Sequence, residues 1–328
     1  MHFQTYSEIQ QYRIEQMNTA APNHFQLNEL HEVCIKLVLS ISLKKISDNY
    51  GPPPSSFSFF VMGSAGRFEQ SIWSDQDHGI IYQIQSDQVQ SYFLKLGEEI
   101  AKGLDEAGYD YCDGGVMSCN RLWCKSLAEW ERQLENWLCK ASWESIRHLL
   151  IFIDGRSVYG EKRFIDQLKD YVYQKLQEKH LLVNILSNTM FHKKGISVLG
   201  HILTETHGPH SGSFNIKEIA LLPFVNTVRL LAIKENVKET TTLSRLDNLS
   251  QKCLSSNCKE LYKQQFLKLL NYRLLWADHS DYQSGHFLPI HRLSKEQKEE
   301  LKGIIKHGEA LFKSAKKLVE KDDIFGQK

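Results

Sequence analysis

A short aromatic run, Phe57-Ser-Phe-Phe-Val-Met62, that leads straight into Gly63-Ser64-Ala65-Gly66 constrains this chain more than any other stretch. The run is aromatic and β-branched, which suits a buried strand, and Gly51-Pro-Pro-Pro54 before it breaks any helix. The four small residues predict a turn in which backbone N–H groups can approach a polyphosphate closely. Downstream, Asp75 and Asp77 stand two residues apart at the approach to a second expected strand, His78–Tyr82. Alternate residues of an extended chain share a side, so both carboxylates face one way, an arrangement that suits Mg²⁺ held together with substrate phosphates. Ser64 adds a hydroxyl donor and Arg67 a planar cation for phosphate oxygens. A lone Asp-x-Asp or Gly-Ser turn is common on protein surfaces. The whole string, behind a strand, has far fewer accidental matches and reads as a metal–nucleotide site.

The flanking patterns predict an α+β chain. Leu30, Val33, Cys34, Leu37, Val38 and Ile41 fall on one helical face, giving a helical leader over 1–50. A helix is expected over Asp87–Ala107, with Val89, Phe93, Leu96, Ile100 and Leu104 on its apolar face and Gly108 as its stop. Tyr109–Met117 is expected as a third strand, although Gly114-Gly115 weakens it. From Ser126 the spacing turns helical, through Phe164–Ile185 and on to stretches near 215–235, 258–277 and 295–320. Ser294 with Gln297 forms a capping-box signature for the last. The expected boundaries are therefore 1–50, 51–178 for the small mixed-sheet domain, and 179–328 for a helical domain.

Charge and cysteine usage narrow the function classes. Forty basic residues oppose 39 acidic ones, a net charge of +1, so neither DNA nor a membrane is expected as a partner. The seven cysteines include no C-x-x-C pair, the first fifteen residues lack an apolar signal core, and the apolar run near Leu149–Ile153 is too short to span a bilayer. A cytoplasmic protein with free thiols is the expectation.

The string Gly-Ser-x-Gly-Arg-x-Glu followed by Ser-Asp-x-Asp resembles the signature of the polymerase-β-type nucleotidyltransferases. It is most similar to the amino-terminal domain of PII-protein uridylyltransferases and to bacterial nucleotidyltransferases often fused to CBS or cyclic-nucleotide-binding modules. Gly108-Tyr-Asp-Tyr-Cys112-Asp-Gly-Gly-Val-Met117, Trp123-Cys-Lys-Ser-Leu127-Ala-Glu-Trp130 and Asp154-Gly-Arg156-Ser-Val-Tyr-Gly160 extend the resemblance. Phe214-Asn-Ile-Lys217, Val228-Arg229-Leu-Leu-Ala232 and Thr242-Leu-Ser-Arg245-Leu246 carry it into the helical half, which resembles that group's substrate-binding domain.

The resemblance implies a polymerase-β-like domain that moves an NMP from ATP or UTP to an acceptor hydroxyl, on a protein by analogy with PII uridylylation, in signal transduction. Gly63 and Ser64 would hold the nucleotide phosphates, Arg67 a phosphate oxygen, and Asp75 and Asp77 Mg²⁺ or Mn²⁺. Glu69 would brace the turn from within the nucleotide site. Such catalysis normally uses a third carboxylate, for which Asp113 is the first candidate, with Asp110 and Asp154 as alternatives. With none, the chain would be a regulatory nucleotide-binding module. Lys217, Arg229 and Arg273 either pair with buried acids or line the nucleotide cleft; Lys217 and Arg229 are taken as nucleotide contacts. His201, His207 and His210 read as a loop rather than a zinc site, and Trp123, Trp130, Trp137 and Trp143 as helical core.

Overall fold

Local chain chemistry sets the first helices. In the computed structural model, which describes residues 3–178, 181–189 and 193–326, α1 (Tyr6–Ala20) starts at a capping box between Thr5 and Glu8. The Asn23 side chain accepts from the amides of Phe25 and Gln26 and caps α2 (His24–Tyr50), which ends at Gly51 with φ +84°. Leu27, Leu30, Cys34, Val38 and Leu39 form its buried stripe.

β1 (Phe57–Val61) is buried at every position and leads into the one-turn helix α3 (Gly63–Arg67). Then come β2 (His78–Tyr82), α4 (Asp87–Glu106), β3 (Cys124–Ser126), α5 (Leu127–Lys140), α6 (Trp143–Ile153) and β4 (Arg156–Gly160). The sheet order is β3-β2-β1-β4, with β1 antiparallel to β2 and β4, and β2 parallel to β3. Trp123 and Trp130 are fully buried and Trp137 nearly so; Trp137 meets Trp130, and His148 meets Trp123, edge to face, while Phe152 packs tilted on Trp130. Trp143 is the exception to the expected tryptophan core, being 57% exposed at the start of α6.

The expected third strand over Tyr109–Met117 is not a strand. Asp110 makes a single parallel bridge to Asp75, and the chain then turns, with Gly115 at φ +65°. The strand beside β2 is β3, a few residues later, because the glycine pair diverts the chain before a ladder can form.

The chain divides into two compact units, Met1–Val172 and Tyr173–Lys328, so α1 and α2 belong to the first unit and the boundary falls inside α7 (Lys162–Glu178). Residues 179–180 of the expected helical stretch Phe164–Ile185 lie outside the described residues. The second unit contains α8 (Leu182–Thr189), the antiparallel pair β5 (Ser213–Asn215) and β6 (Phe287–Pro289), and a π-helical turn (Lys217–Leu221). With them are α9 (Leu222–Lys234), α10 (Thr242–Asn248), α11 (Ser256–Trp276) and α12 (Lys295–Gly326). Its core gathers Phe224, Val228, Leu231, Phe266, Leu269 and Leu301. Among the described residues no helix is long and apolar enough to cross a membrane.

Candidate active site

The approach to β2 has a buried side and a half-buried side. On the buried side, Gln76 donates from Nε2 to the carbonyls of Ala101 (3.0 Å) and Tyr109 (2.9 Å). Its Oε1 lies 3.1 Å from Nε2 of His78, whose Nδ1 accepts from the Ser118 amide at 3.2 Å. These partners fix His78 with its proton on Nε2, and burial pushes its pKa down to about 3, so the ring is neutral. Asp75 and Asp77 alternate with this pair and occupy the half-buried side.

Backbone hydrogen bonds join the other parts to these carboxylates. The Met62 amide donates to the Asp77 carbonyl at 2.7 Å, tying the turn after β1 to the carboxylate segment. Gly63 has φ +52°, and a Cβ there would lie 2.0 Å from Asp77 Oδ2, so only glycine lets the carboxylate pack against the turn. Ser64 is half-buried, its Oγ 3.4 Å from that of Ser74.

On the far side the Gln76 amide donates to the Asp110 carbonyl and the His78 amide to that of Val116, both at 3.0 Å. The parallel bridge between Asp75 and Asp110 sets the turn that carries Cys112 beside the carboxylates, and ligand atoms of Asp75, Asp77 and Cys112 all lie within 4.8 Å of one another. Burial, reinforced by the Asp77 carboxylate, pushes the Cys112 thiol up to about 12. Two carboxylates and a potential thiolate converging on one point form a donor set that a divalent cation fits.

The remaining expected site residues lie as follows. Arg67 is buried and donates from Nε to Glu69 at 2.7 Å and from Nη1 to Asp154 at 2.6 Å. Burial opposes its charge, but Asp154 and then Glu69 outweigh burial, and its pKa is raised. Asp154 is fully buried at the C-cap of α6. Asp113 is exposed on the turn, and Asp110 pairs through its backbone. In the second unit, half-buried Lys217 lies with its Nζ 2.9 Å from His286 Nε2 and 3.1 Å from the Tyr282 hydroxyl. Arg229 is buried and donates to Asn226 Oδ1 at 2.7 Å. Buried Arg245 donates from Nε to the Glu239 carbonyl, and Arg273 from Nε to that of Gly285.

Cys112 is the member of the cluster that the sequence reading did not single out. The available signal was the spacing of Asp110 and Cys112, which mirrors that of Asp75 and Asp77 once the two segments are set side by side.

Two family models match this chain. Residues 9–144 match the one described as "Putative nucleotidyltransferase DUF294", and residues 179–318 match "Putative nucleotidyltransferase substrate binding domain". No curated protein matches the chain.

Proposed function

Because the chain belongs to the nucleotidyltransferase family that these two models describe, we propose that its first unit transfers an NMP from ATP or UTP to an acceptor hydroxyl, with Mg²⁺ or Mn²⁺ at Asp75 and Asp77. The observation that carries this reading is the convergence of Asp75, Asp77 and Cys112 beside the Gly63-Ser64 turn, inside the matched segment. A divalent cation bound there supplies charge neutralisation for the attacked phosphate and the departing pyrophosphate. The first amides of α3 have no carbonyl partner within their own helix, and with the Ser64 hydroxyl they orient the phosphate oxygens. Lys217 and Arg229 are assigned to nucleotide or acceptor contacts in the substrate-binding domain, and the acceptor to a protein hydroxyl.

The double variant Asp75→Asn/Asp77→Asn tests this reading. Two carboxylates that repel one another without a cation become neutral amides, so the melting temperature should stay level or rise slightly while metal-dependent ATP or UTP binding is lost. A double variant that binds metal–nucleotide as tightly as the parent would remove the assignment.

A second reading, a nucleotide sensor without transfer, draws support from the cluster itself. Among the described residues its third member is a thiol, not a carboxylate. Incubating the protein with each labelled NTP, Mg²⁺ or Mn²⁺ and cell extract separates the two readings. Label on an acceptor marks an enzyme; tight nucleotide binding with no label on any acceptor marks a sensor.

A further inference from the structure

We infer that Cys112 is the third ligand of the metal site, so that the site is a mixed carboxylate–thiolate centre that prefers Mn²⁺, Co²⁺ or Zn²⁺ to Mg²⁺. The inference deepens the proposed function and rests on it for the nucleotide, though the metal site itself rests on Asp75, Asp77 and Cys112 alone.

Distance supports ligation. Metal–oxygen bonds of about 2.1 Å and metal–sulfur bonds of about 2.3 Å set three donors on one ion about 3.0–3.8 Å apart. The three donor atoms lie within 4.8 Å of one another, so a closure of about an ångström, available to half-buried side chains by rotation about their χ angles, completes the set. Chain pairing supports it independently. The Asp75–Asp110 bridge starts the turn that carries Cys112 directly beside the carboxylate segment. The Gln76 amide bonds to the Asp110 carbonyl and the His78 amide to that of Val116, so the turn that carries Cys112 is held at both ends against the carboxylate segment.

The surroundings of the thiol argue against simple packing. A cysteine that only fills space sits among apolar groups, whereas Sγ of Cys112 meets the carboxylates of Asp77 and Asp75. Of the other cysteines, Cys34 and Cys124 are buried in the apolar core.

The consequence is chemical. Mg²⁺ takes hard oxygen ligands almost exclusively, while thiolate favours the later divalent ions. On coordination the thiol gives its proton to solvent and binds as thiolate, adding a negative charge where the nucleotidyltransferase pattern expects a third carboxylate.

Co²⁺ alone, added to the full chain, is the probe. One equivalent should give a thiolate-to-cobalt charge-transfer absorption, and X-ray absorption at the cobalt edge should read one directly bonded sulfur. Cys112→Ser should abolish the band and weaken Co²⁺ by at least the roughly tenfold loss that disturbing even an outer partner of a metal ligand causes. Cys139→Ser, at an exposed cysteine away from the cluster, should leave the band unchanged. Cys112→Asp should shift preference toward Mg²⁺, and X-ray absorption on the unaltered chain decides the matter even if a variant fails to fold. Tightly bound cobalt without directly bonded sulfur overturns the inference, as does a band that survives Cys112→Ser. If nucleotide binding still depends on Asp75 and Asp77 in that event, the transfer reading stands alone. If sulfur-bonded cobalt is found but no nucleotide binds, the metal centre stands and the transfer reading falls.

Discussion

Arg67 donates to Glu69 two residues away and to Asp154 across 87 residues of sequence, in a setting almost closed to solvent. Such an ion cluster contributes little net stability against an apolar alternative, yet removing its cation leaves buried carboxylates uncompensated, which costs about 3–5 kcal/mol. Arg67→Ala should therefore lower chemical-denaturation stability by that amount, with Asp154→Ala behaving similarly. The phosphate-binding role assigned to Arg67 by sequence resemblance makes the opposite forecast, a loss of nucleotide affinity at unchanged stability. Measuring both on one variant decides which role dominates. The sequence carried the local half of this cluster, Glu69 bracing the turn beside Arg67, but not the pairing with Asp154. Arg67 and Glu69 were visible as part of a turn, whereas the partner on α6 could be identified only once β1 and β4 had paired. Cys112 was hidden for the same reason, since its place beside Asp77 depends on a bridge between segments 35 residues apart in number, 75 and 110.

At the scale of elements, the parts legible in the sequence are those whose pattern is local. β1, β2 and α4 follow from an aromatic run, an apolar run and a one-faced stripe stopped by a left-handed glycine. β3 has three residues and no periodicity of its own, and only its ladder with β2 defines it. The work of α1 and α2 was equally hidden. Asn28 accepts from the Gln70 amide at 2.8 Å, and His31 donates from Nε2 to the Ser71 carbonyl at 2.9 Å. Arg13 donates to the Ile72 carbonyl at 2.7 Å, its guanidinium lying over the rings of Trp73 and Tyr109. Three consecutive residues of the loop before Asp75 are thus held by side chains from two helices. Asn28→Ala leaves the buried Gln70 amide without that acceptor, at a cost of about 1–3 kcal/mol. Hydrogen exchange over 70–75 should quicken and Mn²⁺ affinity should fall, while exchange in β1 stays slow. Unchanged exchange in the loop would mean that the helices merely cover the sheet.

For the whole molecule, buried neutral histidines set the response to acid. His31 is held between the Tyr109 hydroxyl, which donates to its Nδ1, and the Ser71 carbonyl. Burial, with the nearby Arg13 charge, pushes it down to about 3. Burial does the same to His78, next to Asp77. In the second unit, burial and then the Lys217 charge push His286 to about 3 as well. In the unfolded chain each of these rings takes up a proton near its ordinary value of about 6.5. Between that pH and about 3 the unfolded state binds protons that the folded state refuses, so stability is full above about pH 6.5 and falls as the solution is acidified. Each such histidine adds a slope of about 1.4 kcal/mol per pH unit across that window. Replacing His78 with Gln keeps an N–H to offer Gln76 and an oxygen for the Ser118 amide, but removes the titrating ring. Chemical denaturation at a series of pH values from about 7.5 to about 5 should then show a shallower fall for His78→Gln by one histidine's slope, with equal stability differences at every pH above about 7. Parallel curves for the variant and the parent throughout would mean that His78 accepts a proton in the folded protein, and that the network joining β2 to α4 is looser than its hydrogen bonds imply.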